Sequence, residues 1–322
     1  MRRILTAAFA LAMSAGVASA QTKWQMPTPY APGEFHTVNI TQFAEEVKSG
    51  TGGKLEIIVH PAGSLLPLPQ IKRNVQTGDV QIGEVLLGAL ENEDPLFGVD
   101  TVPFLVSGYE ASQKLMSEAR PMIEAHLRRQ GIRVLYVTPW PPQGFYSYKP
   151  LNTIEDLRGL KFRSYAPSAA RLGALTGMSV STIQAAELSE ALNTGRINSM
   201  ITSSATGASA KVWESDVKYY YELDAWVPNN LVIVNERAFQ ALDKATQDVV
   251  LKAAANAEKR GLELSKKRRA DATALLRQNG MHVEKPSPKL VEGFRQIGAQ
   301  MAGDWEKKAG PEAARLLAPF KP

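Results

Sequence analysis

The sequence predicts an α/β protein of two domains built on mixed, mostly parallel sheets flanked by helices. Three observations carry that expectation. The chain opens on a strand–helix–strand unit, and a crossover of that kind implies parallel strands. Near its middle, Pro139-Trp140-Pro141-Pro142-Gln143-Gly144 breaks regular structure, as a crossing between domains does. From Glu236 to Gln278 there is no proline and only Gly261, in a run dominated by Ala, Leu, Lys, Arg and Glu. That run favours one long helix, or two nearly continuous ones. A length of 322 residues fits two domains.

Taken in order, Lys23–Met26 alternates as a short strand. Glu34–Lys48 reads as a helix with Phe35, Val38, Phe43 and Val47 on one side, and Gly50 to Gly53 end it. Leu55–Val59 is a strand, Gln70–Gln76 a helix stopped by Gly78, and Val80–Val85 a strand. Tyr109–Gln130 is a long helix interrupted near Pro121. Ile132–Val137 is a strand, and Phe145–Tyr148 and Leu160–Arg163 begin the second domain. Glu187–Gly195 is a helix and Ser199–Thr202 a strand. Asn230–Val234 is a strand that returns to the first domain, and a helical tail over Lys289–Leu317 packs on the second.

Met1-Arg2-Arg3, the apolar run Ile4–Val17 and Ala18-Ser19-Ala20 have the three parts of a cleavable secretory signal, with cleavage after Ala20. No other stretch is long and apolar enough to span a bilayer. The net charge is +5, of which two units sit on Arg2 and Arg3. The densest basic run, Lys266-Lys267-Arg268-Arg269, covers all faces of a helix and reads as solvated surface, so no nucleic acid is expected. There is no cysteine. That removes thiol catalysis, thiolate metal sites and disulfides, none of which an exported chain of this size requires.

The sequence supplies no recognisable catalytic set, metal site or cofactor fingerprint. His36, His60, His126 and His282 show no paired spacing for a metal. Glu84 stands where a phosphate-binding loop would need Lys after Gly78-Asp79-Val80-Gln81-Ile82-Gly83, and Ser215-Asp216-Val217-Lys218 is too short a match to carry weight.

Binding is better marked. Asp156 to Gly159 suits a turn, Leu160–Arg163 a strand, and Ala166-Pro167-Ser168 can open a helix over Ala169–Leu175. Arg163 therefore stands at the carboxyl tip of a strand feeding a helix, where open α/β sheets bind ligands. A guanidinium there can grip a carboxylate through two parallel hydrogen bonds, or it can be a solvated strand end. Glu84 lies in an apolar strand, where a carboxylate needs a partner: a ligand N–H, Arg163, or solvent at a strand end. Trp140, Phe145 and Tyr146 flank the first crossing, as a flat pocket wall or as interdomain core. Asn230 flanks the second, as a donor to a ligand or as the start of a strand.

Leu157-Arg158-Gly159-Leu160-Lys161-Phe162-Arg163 resembles the "DLKGLKIR" segment of the solute-binding proteins of TRAP (tripartite ATP-independent periplasmic) transporters. Glu187–Asn198 resembles that family's "EVYEALQTGVVDG", Gln76–Gly83 its "vqtGtlDmg", and Val102-Pro103-Phe104-Leu105 its "lPFLF", in the family's order. The resemblance implies a monomeric two-lobed periplasmic binding protein with a long helix across both lobes. The lobes are expected at 21–140 plus 229–268 and at 141–228 plus 269–322, after a signal over 1–20. It implies capture of a small carboxylate and its delivery to TRAP membrane permease subunits, without chemistry and without a cofactor. It assigns the carboxylate contact to Arg163. Gln143 stands where some members carry a second Arg, so no two-Arg clamp is implied. Ser203 and Ser204 lie where the family often uses Asn, and Asn198-Ser199 replaces its "DG". One Arg, several aromatics and Glu84 suit pyroglutamate or a similar amino-acid-derived monocarboxylate. A C4-dicarboxylate, a 2-oxo acid, and a periplasmic enzyme acting on a carboxylate are the alternatives.

Overall fold

The computed structural model describes residues 21–320, so the expected export signal lies outside the described residues. β1 (Thr22–Pro27) and β2 (Leu55–His60) pair in parallel around α1 (Phe35–Gly50), as the opening unit predicts. The buried stripe of α1 runs through Ile40, Phe43, Ala44 and Val47 and leaves Val38 facing solvent. α2 (Leu68–Thr77) stops at Gly78, whose φ of 89° is the left-handed conformation that ends a helix without a Cβ penalty. β3 (Ile82–Leu86) follows, then α3 (Gly108–Arg129). The expected interruption near Pro121 does not occur. Leu115, Ala119, Ile123 and Leu127 form one buried row across it, and Pro121 itself lies on the exposed side.

β4 (Ile132–Pro139) leads into the first crossing. The second sheet is then built from β5 (Gly144–Ser147), β6 (Lys161–Ser164), α4 (Pro167–Leu175), β7 (Ser179–Thr182), α5 (Leu188–Asn193), β8 (Ser199–Thr202), α6 (Ser204–Ser209) and β9 (Tyr219–Tyr221). β10 (Asn229–Asn235) returns to the first lobe. α7 (Glu236–Gln240) and the long α8 (Lys244–Gln278) settle the alternative of one helix or two in favour of a short and a long one. β11 (His282–Glu284) and α9 (Pro288–Ala314, kinked at Gly310) complete the chain.

The first lobe holds a parallel pair, β1-β2, and a separate three-stranded antiparallel sheet, and the second a mixed six-stranded sheet, so the first lobe has fewer parallel pairs than the opening unit suggests. β10 lies between β3 and β4 and is antiparallel to both. The chain leaves this lobe from the carboxyl end of β4 and re-enters at the same end, so β10 has to run the other way. In the second sheet, ordered β11-β9-β5-β8-β6-β7, the stretch β8-β6-β7 is parallel. α8 packs on α1 and β4 at one end and on α6 and β11 at the other, so it spans both lobes. The C-terminal segment does the same. Leu290 and Phe294 join the core around Phe145 and Phe162, whereas Trp305, Leu316 and Leu317 join that around Phe97 and Leu115. The expectation that the tail packs on the second domain alone is corrected accordingly: its apolar residues beyond Trp305 have their partners on α3 and the 95–101 turn.

Candidate functional site: a cleft between the two lobes

The two crossings run side by side. Trp140 N donates to Pro228 O at 2.8 Å, Gln143 N to Trp226 O at 2.9 Å, and Ala225 N to Gln143 O at 2.9 Å. This ribbon floors a cavity of about 280 Å³. Its walls come from the carboxyl ends of strands in both lobes. Tyr30 and Glu34 follow β1, Leu86 ends β3, Trp140 and Gln143 follow β4, and Arg163 and Tyr165, Gln184, and Thr202 and Thr206 stand at the ends of β6, β7 and β8. Carboxyl strand ends are where the open sheet leaves backbone and side chains unpaired by further structure.

Arg163 is 3 % exposed, on the cavity wall. Its Nε donates to Ile183 O at 2.9 Å, and its guanidinium lies 5.0 Å from the centre of the Tyr165 ring. Among the described residues no carboxylate lies within ion-pair reach of it, and its two terminal nitrogens donate to no protein acceptor. Burial pushes Arg163 down to about 10, with the phenol groups of Tyr165 and Tyr30 acting in the opposite sense. A guanidinium desolvated this far without an anion costs several kcal/mol. An arriving carboxylate would recover that cost through two charge-assisted hydrogen bonds. Tyr165 is held by a relay: Trp226 Nε1 donates to its hydroxyl at 2.9 Å, the hydroxyl donates to Gln143 Oε1 at 3.1 Å, and Gln143 Nε2 donates to Pro141 O at 2.8 Å. Gln143, in place of a second Arg, therefore orients the aromatic face beneath Arg163.

The structure brings Arg163, Trp140 and Gln143 together on one wall. Glu84 and Asn230 stand behind that wall. Glu84 is 1 % exposed and accepts from Thr28 Oγ1 at 2.5 Å and Asn230 Nδ2 at 2.7 Å, with His36 Nδ1 3.2 Å away. Both the strand-end solvent contact and the Arg163 pair are thereby corrected: Glu84 is saturated by its own lobe. Asn230 Oδ1 accepts from Trp140 Nε1 at 3.0 Å and Tyr30 O–H at 3.4 Å, which uses it as a support for two wall residues. Phe145 stacks on Phe162 inside the second lobe. Tyr146 packs on Tyr220 and donates to Ser203 O at 3.1 Å. Neither ring reaches the cavity, because inward alternation on β5 turns both into cores of the lobe. Ser203 caps α6 by accepting from Thr206 N, and Ser204 donates to Arg269 O on α8, so neither hydroxyl lines the wall.

Sequence reasoning missed Tyr30, Glu34, Tyr165, Gln184, Thr206 and Ser209. Tyr165 had a signal, since it lies two residues past Arg163 at the same strand end. Glu34 was read as the start of a helix but not as a wall residue, and the others come from loops and a short helix with no periodicity to read. Among the described residues no group of three or more His, Asp or Glu is placed to hold a metal, and no helix is long and apolar enough to cross a membrane.

Solved structures share this architecture. The Bordetella pertussis extracytoplasmic solute receptor DctP6, which binds pyroglutamic acid, is 42 % identical over 93 % of this chain and 99 % of its own, with a TM-score of 0.91. DctP7 of the same organism, also a pyroglutamic acid receptor, is 44 % identical with the same coverage and a TM-score of 0.90. A marine metagenome TRAP solute-binding protein from an unidentified microbe, specific for pyroglutamate, is 39 % identical over 93 % and 99 %, at 0.90. The pattern of bacterial extracellular solute-binding protein family 7 runs through residues 30–308, and the chain belongs to that family.

Proposed function

We propose that this protein is an extracytoplasmic receptor that captures pyroglutamate, or a closely similar amino-acid-derived monocarboxylate, in the cleft and delivers it to a TRAP membrane permease. The observation that carries this reading is Arg163: a buried guanidinium, open to the cavity on its terminal nitrogens and without an acidic partner. The relatives at 39–44 % identity that bind pyroglutamate support the choice of solute. In this reading Arg163 takes the carboxylate, Tyr165 and Trp140 wall a small ring, and Gln143 keeps Tyr165 in place. The lobes are 21–140 plus 229–268 and 141–228 plus 269–322, a division supported by sheet membership up to β11, with the segment from Trp305 packing back on the first lobe. They close on the solute and exclude water, which strengthens the ion pair. The protein acts as a monomer, without turnover, after export and cleavage following Ala20.

Native mass spectrometry of protein purified from the periplasm, before and after gentle unfolding, tests this directly. A released mass of pyroglutamate and an N-terminus at Gln21 are expected. A thermal-shift screen silent toward amino-acid derivatives, dicarboxylates, 2-oxo acids and sugar acids alike would overturn the receptor reading, and conversion of the bound acid would show an enzyme.

A further inference from the structure

The cavity wall carries two charged side chains among the described residues, Arg163 and Glu34. We propose that Glu34 determines specificity: its carboxylate accepts an N–H of the bound acid and turns away acids that carry a second carboxylate. This deepens the receptor reading of the cleft and rests on it.

Glu34 is 5 % exposed and opens α1. Its Oε1 accepts from Phe35 N at 3.1 Å, and its Oε2 accepts from Ser209 Oγ at 2.5 Å, across the cleft mouth. Ser209 in turn accepts from Arg268 Nη2 at 3.1 Å. A guanidinium can only donate, so the single hydroxyl hydrogen of Ser209 is left to point at Glu34. Glu34 is thus an acceptor on both oxygens, each of which keeps a second lone-pair site. No Lys, Arg or His lies within ion-pair distance of it among the described residues. Tyr30, Glu34 and Arg163 line the same cavity, so a small molecule resting against Tyr30 shares the space with one anion and one cation. One carboxylate satisfies Arg163. A second would find no cation on the wall and would face Glu34. An N–H donor instead gives a remaining lone pair its partner.

Calorimetric titration of the full chain tests this with three probes: pyroglutamate, the γ-lactone carboxylate in which a ring oxygen replaces the N–H, and glutarate. The wild type is expected to favour pyroglutamate over both by about tenfold or more, because a site built for an N–H rejects the analogue lacking it. Glu34→Gln, which keeps shape and removes charge, is expected to narrow both ratios by about tenfold. Ser209→Ala cuts the bridge across the mouth and keeps the charge, so it should move all three affinities by one common factor. Glu34→Gln with wild-type ratios, or Ser209→Ala shifting the ratios as Glu34→Gln does, overturns the proposal. A wild type that takes none of the three acids overturns it together with the receptor reading, whereas retained pyroglutamate binding with unaltered ratios overturns this proposal alone.

Discussion

Glu84, in the middle of β3, and Arg163, near the carboxyl end of β6, are both buried charges on strands, one in each lobe, and their surroundings differ in one respect. Glu84 has Thr28, Asn230 and His36 around it, all from its own lobe. Arg163 has a backbone carbonyl and the face of a ring. The protein has spent its own polar groups on the first and withheld them from the second. A saturated charge fixes a wall; an unsaturated one recruits a solute. Asp100 stands between these cases. Its Oδ2 accepts from Asn229 N at 2.7 Å and Asn229 Nδ2 at 3.1 Å, while its Oδ1 is buried without a partner.

The largest expected effect breaks the comparison at Arg163. Arg163→Met should weaken solute binding by about 2–5 kcal/mol, since the ligand carboxylate then has no cation in the cleft. The empty variant should melt no lower than the wild type, because an apolar side chain of similar length carries no desolvation cost. Equal affinity in titration calorimetry, or a large loss of stability, would place Arg163 in the same class as Glu84. Glu84→Ala should do the reverse. It strands an amide, a hydroxyl and an imidazole in the core and should cost about 3 kcal/mol of unfolding free energy. Chemical denaturation reads that cost directly, and the residual folded protein should still take the solute.

Asp100→Asn sharpens the intermediate case through pH. Burial pushes the Asp100 carboxyl from its ordinary 3.8 up to about 7, with the Asn229 N–H groups pulling back. The folded chain therefore holds this proton more tightly than the unfolded chain. Its contribution to stability is complete below pH 3.8 and is lost as pH rises to about 7. Relative to the wild type, Asp100→Asn should gain up to about 1.4 kcal/mol per pH unit across that window and nothing further above it. A pH-independent difference in melting temperature between the two would show that Asp100 does not titrate there. The smallest effect is expected of Tyr165→Phe, which leaves Trp226 Nε1 and Gln143 Oε1 without their shared hydroxyl. It should cost about 1 kcal/mol of stability and lower affinity severalfold by loosening the ring beneath Arg163.

The parts of this site that follow local rules were legible in the sequence. The Asp156–Gly159 turn, the strand ending at Arg163 and the helix after Pro167 are set by turn residues, alternation and a proline near the helix start, all of which act within a few positions. Glu84 was legible as a problem and not as a solution, because its partners Thr28 and Asn230 lie 56 and 146 residues away. α6 escaped notice because Ser204-Ala205-Thr206-Gly207-Ala208-Ser209 has poor helix propensity. It is held instead by the Ser203 cap and by a close approach in which Gly207 leaves room for the Tyr146 hydroxyl. β7 escaped for a similar reason: Ser179-Val180-Ser181-Thr182 is a strand only because β6 offers it an edge. The antiparallel β10 could not be read from the opening unit, since its direction is decided by where the chain crosses back.

That last strand also sets an order of events. β3 and β4 are not paired with each other; among the described residues β10 is the strand that joins them in this three-stranded sheet. Until Asn229–Asn235 has been synthesised, everything made before it lacks the middle of its first sheet, and pairing across such sequence separations is slow to form. A chain emerging N-terminus first thus cannot finish the sheet of its first lobe before strands β5 to β9 of its second have been made. The fold itself delays completion of the N-terminal sheet until Asn229–Asn235 has arrived.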